Sequence, residues 1–287
     1  MRPLFSYYGG KQTLIAKILS LIPPHGVYVE PFAGGATVFW AKTPAPVNVI
    51  NDKNEDIFNF YRVAKTKYEE LRGMLSWTLH SRALYNRAKD IFAQKEKHTD
   101  VERAWAWWVL VNCSFNSKFK GGWATGCSNF AGKIKNKIKL FCEKEVLERL
   151  ENAVLECDDG LRVIERWDCP DAFFYVDPPY VGTHQGHYAG YETEDLLALL
   201  GVLSKIKGKF ALSHFDNADI LRHAEKNGWE VFKIQRTLFA NRWNRVQKNL
   251  PPTKKIELIV TNYPAPAGAE LFGKVENFTA KPQRETL

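Results

Sequence analysis

The sequence predicts an α/β fold in which a parallel sheet is covered by helices on both faces and interrupted by a mostly helical insertion. Three observations predict it. Short apolar, β-branched or aromatic runs recur with helical patterns between them, which is how strands buried on both faces read. A stretch of about a hundred residues between the second and third runs shows no regular strand alternation and is too long for a crossover. Acids stand at the ends of four runs, Glu30, Asp52, Asp159 and Asp177, where the carboxyl ends of parallel strands converge on one crevice.

The elements follow in chain order. A helix is expected over residues 13–22 and a first strand over 27–30, rich in valine. The Pro31-Phe32-Ala33-Gly34-Gly35-Ala36 turn leads to a second strand at 47–51, then a helix at 54–65. Helices at 83–95 and 101–111 belong to the insertion, with Trp105, Trp107 and Trp108 as its core. Gly121-Gly122-Trp123 and a Lys-rich tract complete it. Beyond it come strands at 154–157 and 172–176, a helix at 193–205 and a strand at 210–213. A helix at 218–227 ends at Gly228, a C-cap glycine, before strands at 230–234 and 256–261. Pro264 onward is polar and Pro/Ala/Gly-containing, the composition of a mobile tail.

Composition narrows the class. With 287 residues, 45% hydrophobic and 25% charged, the chain can bury a large core. It has no apolar run of the roughly 18 residues that span a bilayer, and Met1-Arg2-Pro3 leads into a motif rather than a signal peptide. A cytoplasmic protein is expected. Five cysteines without a C-x-x-C pair give neither a disulfide framework nor a zinc site, so no metal is expected. The net charge of +8 is blocked rather than spread. No acid falls between Arg103 and Cys142, where Lys118, Lys120, Lys133, Lys135, Lys137 and Lys139 lie, nor between Val231 and Ile256, which holds Arg242 and Arg245. Trp123, Phe130, Phe239 and Trp243 interleave with these cations. Cations suit phosphates and flat rings suit bases, so the partner expected is a nucleic acid.

The most specific signal is Asp177-Pro178-Pro179-Tyr180 at the end of Phe173-Phe174-Tyr175-Val176. An acid after a buried strand is costly unless it works there. Its carboxylate accepts hydrogen bonds, the prolines fix the following turns and remove donors, and the tyrosine offers a flat face. The set suits an exocyclic amino group on a nucleobase; its plainer reading is an edge-strand terminus stopped by Pro-Pro. The Gly34-Gly35 turn lacks both G-x-G-x-x-G and G-K-[ST], which argues against NAD and ATP, and a nucleoside-sized ligand fits it as well as a purely structural turn. Asp52 stands where such folds place an acceptor for ribose hydroxyls. Asp159 either caps the next helix or meets the same ligand. Lys11, after Tyr7-Tyr8-Gly9-Gly10, opposes the positive end of a helix and is kept either to meet a carboxylate or phosphate or as a surface lysine.

In order, Tyr7 to Lys11, Glu30 to Ala36, Asn51-Asp52, Asp177 to Tyr180 and Glu257 to Tyr263 resemble the motifs of the Dam-type (D12 class) adenine-N6 DNA methyltransferases. The resemblance implies a Rossmann-like methyltransferase sheet with a DNA-recognition insert. It implies S-adenosylmethionine as cofactor, with Tyr7, Lys11, Asp52 and Asp177 binding it, Phe32, Gly34 and Gly35 beside Glu30 around its methionine part, and Asp159 near its adenine. Residues 1–66 and 151–263 would form the catalytic domain, 67–150 the target-recognition subdomain and 264–287 a flexible tail. The activity implied is site-specific methyl transfer to N6 of a flipped adenine in DNA, as in restriction-modification. Asp177 and the Pro178 carbonyl would accept the amino hydrogens, with Pro179 fixing the turn and Tyr180 stacking on the base. DNA contacts would come from Lys118, Lys120, Trp123, Lys133, Lys135, Lys137, Arg242 and Arg245. The alternatives are N4-cytosine transfer, whose relatives usually carry Ser in place of Asp177, and a non-catalytic DNA-binding regulator. The chain departs from the family at Asn116 to Trp123, where the relatives that read GATC carry an Arg-bearing hairpin, so their target sequence does not carry over. His184 and His187 lie outside the family pattern and either touch phosphate or cap a loop.

Overall fold

The computed structural model describes residues 1–7, 9–115, 119, 121–126, 128–182, 190–238 and 253–266. Its elements run α1 (Ile15–Leu21), β1 (Val27–Glu30), α2 (Thr37–Ala41), β2 (Val47–Asn51), α3 (Glu55–Thr66), α4 (Tyr68–Ser76), α5 (Arg82–Ala93) and α6 (Asp100–Asn112). They continue with α7 (Phe130–Phe141), α8 (Lys144–Glu151), β3 (Ala153–Glu156), α9 (Gly160–Trp167) and β4 (Ala172–Val176). The last are α10 (Thr193–Leu203), β5 (Lys209–Phe215), α11 (Ala218–Asn227), β6 (Glu230–Leu238) and β7 (Thr253–Thr261). All seven expected strands are present.

They form one sheet in the order β3-β2-β1-β4-β5-β7-β6. Strands β1 to β5 pair in parallel, while β7 lies antiparallel between β5 and β6. Strand β4 shows why such a sheet reads as a continuous apolar run. All five of its residues are buried, Phe173 and Tyr175 joining the core on one face and Phe174 and Val176 the core on the other, as side chains alternating with period two must. Strand order reverses between β1 and β4, so the chains leaving their carboxyl ends part and open a crevice. The sheet is Rossmann-like, with its crevice at that switch point.

Helices account for the differences from sequence. Helix α2 is preceded at its N-cap by Ala36, which has φ +47° and makes no side-chain cap, so no start signal marks it. Helix α7 was hidden in the Lys-rich tract: Ile134, Ile138 and Phe141 fall on one face, with lysines between. Helices α4, α8 and α9 are short amphipathic elements of the same kind. Strands β5, β6 and β7 run longer than their apolar centres.

Helix α6 opens with a capping box of Thr99 and Glu102 and is buried almost all round, the pattern of an internal helix. Its Trp105, Trp107 and Trp108 share one continuous buried cluster with Phe5, Phe60 and Tyr61, rather than forming a core confined to the insertion. The N-terminal segment is gripped between them. The Trp108 indole donates to the Leu4 carbonyl at 3.0 Å, the Asn112 amide oxygen accepts from Ser6 N at 3.0 Å, and Lys137 Nζ donates to the Pro3 carbonyl at 2.8 Å.

Among the described residues no helix is long and apolar enough to cross a membrane, and no cluster of side chains could hold a metal ion. The described cysteines Cys113, Cys142, Cys157 and Cys169 are free thiols. The tail from residue 267, with Lys118, Lys120, Cys127, His184, His187, Phe239, Arg242, Trp243 and Arg245, lies outside the described residues.

Candidate active site

Three strand-end loops are knitted together by Asn51, the last residue of β2. Its side chain donates to the Pro31 carbonyl at 2.7 Å and the Asp158 carbonyl at 3.0 Å, and accepts from Asp158 N at 2.9 Å. Asp52 then holds the glycine turn. One carboxylate oxygen accepts from Gly34 N at 2.8 Å and the other from Asn54 N at 2.9 Å. Gly34 has φ +49°, and a Cβ there would stand 2.7 Å from the Tyr7 ring, so both the backbone and the space require glycine. The Phe32 ring packs on Gly160 at the start of α9, where Asp159 caps the helix through Leu161 N at 3.0 Å and meets Lys53 at 3.5 Å. A cleft of about 320 Å³ opens beside it, lined by Lys53, Cys157, Asp158, Asp159 and Arg162.

Glu30 differs from expectation. It is enclosed rather than lining the crevice, with one oxygen accepting from the Tyr28 hydroxyl and from Phe39 N of α2, each at 2.5 Å. It anchors the helix after the glycine turn, near the positive end of the helix dipole. Burial raises its carboxyl to about 7.

Beyond β4 the chemistry changes. Both Asp177 oxygens lie 2.7 Å from Lys11 Nζ, and Lys11, 4% exposed, also lies 3.5 Å from Glu257 of β7. Burial raises the Asp177 carboxyl, opposed by the Lys11 ammonium. Glu257, fully buried, accepts from the Tyr180 hydroxyl at 3.1 Å and from the Ser213 hydroxyl at 3.3 Å. The Tyr180 ring lies 4.8 Å below Lys11 Nζ, packs on His214 at 4.5 Å and meets Phe215 edge-on at 4.7 Å. His214 accepts from Val181 N at Nε2 and faces the Phe215 carbonyl through Nδ1 at 2.8 Å. Burial lowers its basicity, so the neutral ring with the proton on Nδ1 satisfies both contacts. Pro178 is buried, and Pro179 is partly exposed.

Thus Tyr7, Phe32, Gly34, Gly35, Asp52 and Asp159 gather at one end of the crevice and Lys11, Asp177 and Tyr180 at the other. Sequence reasoning gave no role to Asn51, Ser213, His214, Phe215 or Glu257. Glu257 carried a usable signal, since an acid inside an apolar strand is as costly as one after it. His214 and Phe215 carried none, because β5 was read as ending before them.

On the insertion, Trp123 is half-buried and pairs with Ser114 across an isolated bridge. His80 stacks on Trp123 at 4.9 Å and on Phe130 at 5.4 Å, Arg82 lies over Trp123 and Lys133 over Phe130. Trp77 and Leu79, next to this ladder in the chain, are 85% and 69% exposed. Lys133 and Lys135 are exposed. Lys137 departs from the expected DNA contact: its ammonium turns inward to Pro3, and burial lowers it to about 8.

Comparison with known proteins identifies the family. Residues 7–198 match the family described as D12 class N6 adenine-specific DNA methyltransferase. The chain is 27% identical to the type II methyltransferase M1.LlaDCHI of Lactococcus lactis subsp. cremoris, over 92% of this chain and 96% of that one. It is 24% identical to M.MjaIII of Methanocaldococcus jannaschii, over 92% and 99%, and 29% identical to the DNA N-6-adenine-methyltransferase of Escherichia phage P1, over 62% and 24%. With the motifs, the sheet order and the family match in agreement, the chain belongs to the D12 class of N6 adenine-specific DNA methyltransferases.

Proposed function

We propose that the crevice between β1 and β4 holds S-adenosylmethionine against a flipped adenine, and that Asp177 receives the adenine amino group. The observation that carries this reading is the placement of Asp177 at the switch point, its carboxylate held by a side chain, Lys11, and not by backbone amides. When bound, S-adenosylmethionine supplies an electrophilic methyl on a sulfonium. The residues present fit such a group. Asp177 and Glu257 set two formal negative charges against the single charge of Lys11, which favours a cation nearby. The turn at Gly34 leaves no room for a side chain beside Tyr7. Asp52 stands beside that turn, where such folds place an acceptor for ribose hydroxyls.

The N6 lone pair of adenine is delocalised into the ring. Asp177 and the Pro178 carbonyl, accepting one amino hydrogen each, favour the tetrahedral nitrogen that has a lone pair to share. Tyr180, fixed by Glu257 and by its packing on His214 and Phe215, offers the base a ring in a set orientation. Extruding the base costs a few kcal/mol, which stacking partly offsets. On the insertion, Arg82, Lys133 and Lys135 beside the Trp123–His80–Phe130 ladder suit phosphates next to bases, and the exposed Trp77 and Leu79 lie close by in the chain. The names of the type II relatives support a site-specific enzyme.

Modified-base sequencing of DNA from cells producing the protein is expected to show N6-methyladenine in one fixed sequence context. Finding none, or methyl on cytosine alone, would overturn the reading.

A further inference from the structure

We propose that Glu257 is the second seat of the Lys11 ammonium, a positioning residue that takes the cation off Asp177 when the target amine arrives. The proposal rests on the reading of Asp177 as the acceptor of that amine. In the structure both Asp177 oxygens are engaged by Lys11 at 2.7 Å. A neutral amino group cannot displace an ammonium from a carboxylate on strength alone, because charge-assisted hydrogen bonds are roughly twice as strong as neutral ones. A second anion within reach lets Lys11 lean away and leaves the carboxylate to the amine.

It cannot simply be stranded. Lys11 is 4% exposed, and a buried charge left unpaired is strongly destabilising. Glu257 removes that cost. Its Oε1 already lies 3.5 Å from Lys11 Nζ, so a shift of about 1 Å completes a normal charge-assisted bond. The antiparallel entry of β7 makes this possible: Glu257 pairs with Phe215 at the end of β5 and so reaches the level of Asp177 from within a strand. The face of Tyr180 lies beside Lys11, at 4.8 Å from Nζ, so the ammonium stays over an electron-rich ring as it moves. The Gly9 carbonyl, 3.3 Å from Nζ, tethers it to its own loop. Its Oε1 accepts from the neutral hydroxyls of Tyr180 and Ser213 at 3.1 and 3.3 Å, contacts weaker than the charge-assisted bond that a closer ammonium makes to Glu257. In this arrangement an internal cation covers the acceptor until it shifts to Glu257, and the pocket keeps the same formal charge in both positions.

Glu257→Gln separates this role from a structural one, because its amide oxygen still accepts from Tyr180 and Ser213 while the charge is gone. Single-turnover methyl transfer at saturating DNA should fall by about tenfold or more, with DNA affinity and thermal unfolding close to wild type. A Glu257→Asp variant should recover part of the loss. In a crystal of the wild-type protein with target DNA and a non-transferring cofactor analogue, Lys11 Nζ should lie nearer Glu257 than Asp177. Normal turnover of Glu257→Gln while Asp177→Ala is inactive overturns this proposal alone, as does a Lys11 still seated on Asp177 beside a docked adenine. Normal turnover of Asp177→Ala overturns both readings.

Discussion

The acids at the ends of the first three strands and the acid after the fourth are held in different ways. Glu30 accepts from Phe39 N, Asp52 from Gly34 N and Asn54 N, and Asp159 from Leu161 N. Each is bonded to a peptide group that the fold fixes. Asp177 is held by a lysine side chain. A carboxylate tied to backbone amides shapes a loop and stays put, whereas one tied to a side chain can exchange its partner. On the proposed reading, the contrast separates the part of the crevice that presents from the part that reacts.

The largest test of that contrast is Asp177→Ala. It should lower labelled-methyl transfer by about a thousandfold or more while leaving DNA affinity nearly unchanged; turnover near wild type would place Asp177 with the structural acids. Glu30 gives the next. Its carboxyl rises from an ordinary 4.5 to about 7 on folding because it is buried, so the folded protein keeps a proton that the unfolded chain has released. That contribution to stability is fully present below about pH 4.5 and is lost as pH rises through 7, a fall of about 3 kcal/mol. Denaturant midpoints at pH 5 and pH 8 should converge in Glu30→Gln, whose oxygen still accepts from Tyr28 and Phe39. An unchanged pH dependence would remove Glu30 as its source. The smallest effect belongs to Asp159. Replacement by Ala should cost about 1 kcal/mol through loss of the α9 cap, and replacement by Asn only a few tenths. An equal loss from both in thermal unfolding would show that charge, and not the cap, matters there.

Much of this division was legible beforehand because strands buried on both faces leave uninterrupted apolar runs. Val47–Asn51 and Ala172–Val176 have the same limits in sequence and in structure. The strand-end acids were legible for the same reason, since a charge next to such a run stands out. What was not legible depends on position in space. Nothing local says that β7 slips between β5 and β6, and that insertion brings Glu257 to Lys11. Phe130–Phe141 was obscured because lysines between its apolar positions read as a charge block before they read as a helix. Glu30 looked like Asp52 and Asp159 by position, but only the short turn into α2 aims its carboxylate at Phe39.

The first residues of the chain are clasped by α6 and α7 at Leu4, Ser6 and Pro3 just before Tyr7 packs on the glycine turn. Grafting a relative's insertion into this scaffold would therefore tear the seam along that clasp. A workable chimera has to transplant the leading heptapeptide together with the insert, so the unit of exchange in this enzyme is discontinuous along the gene.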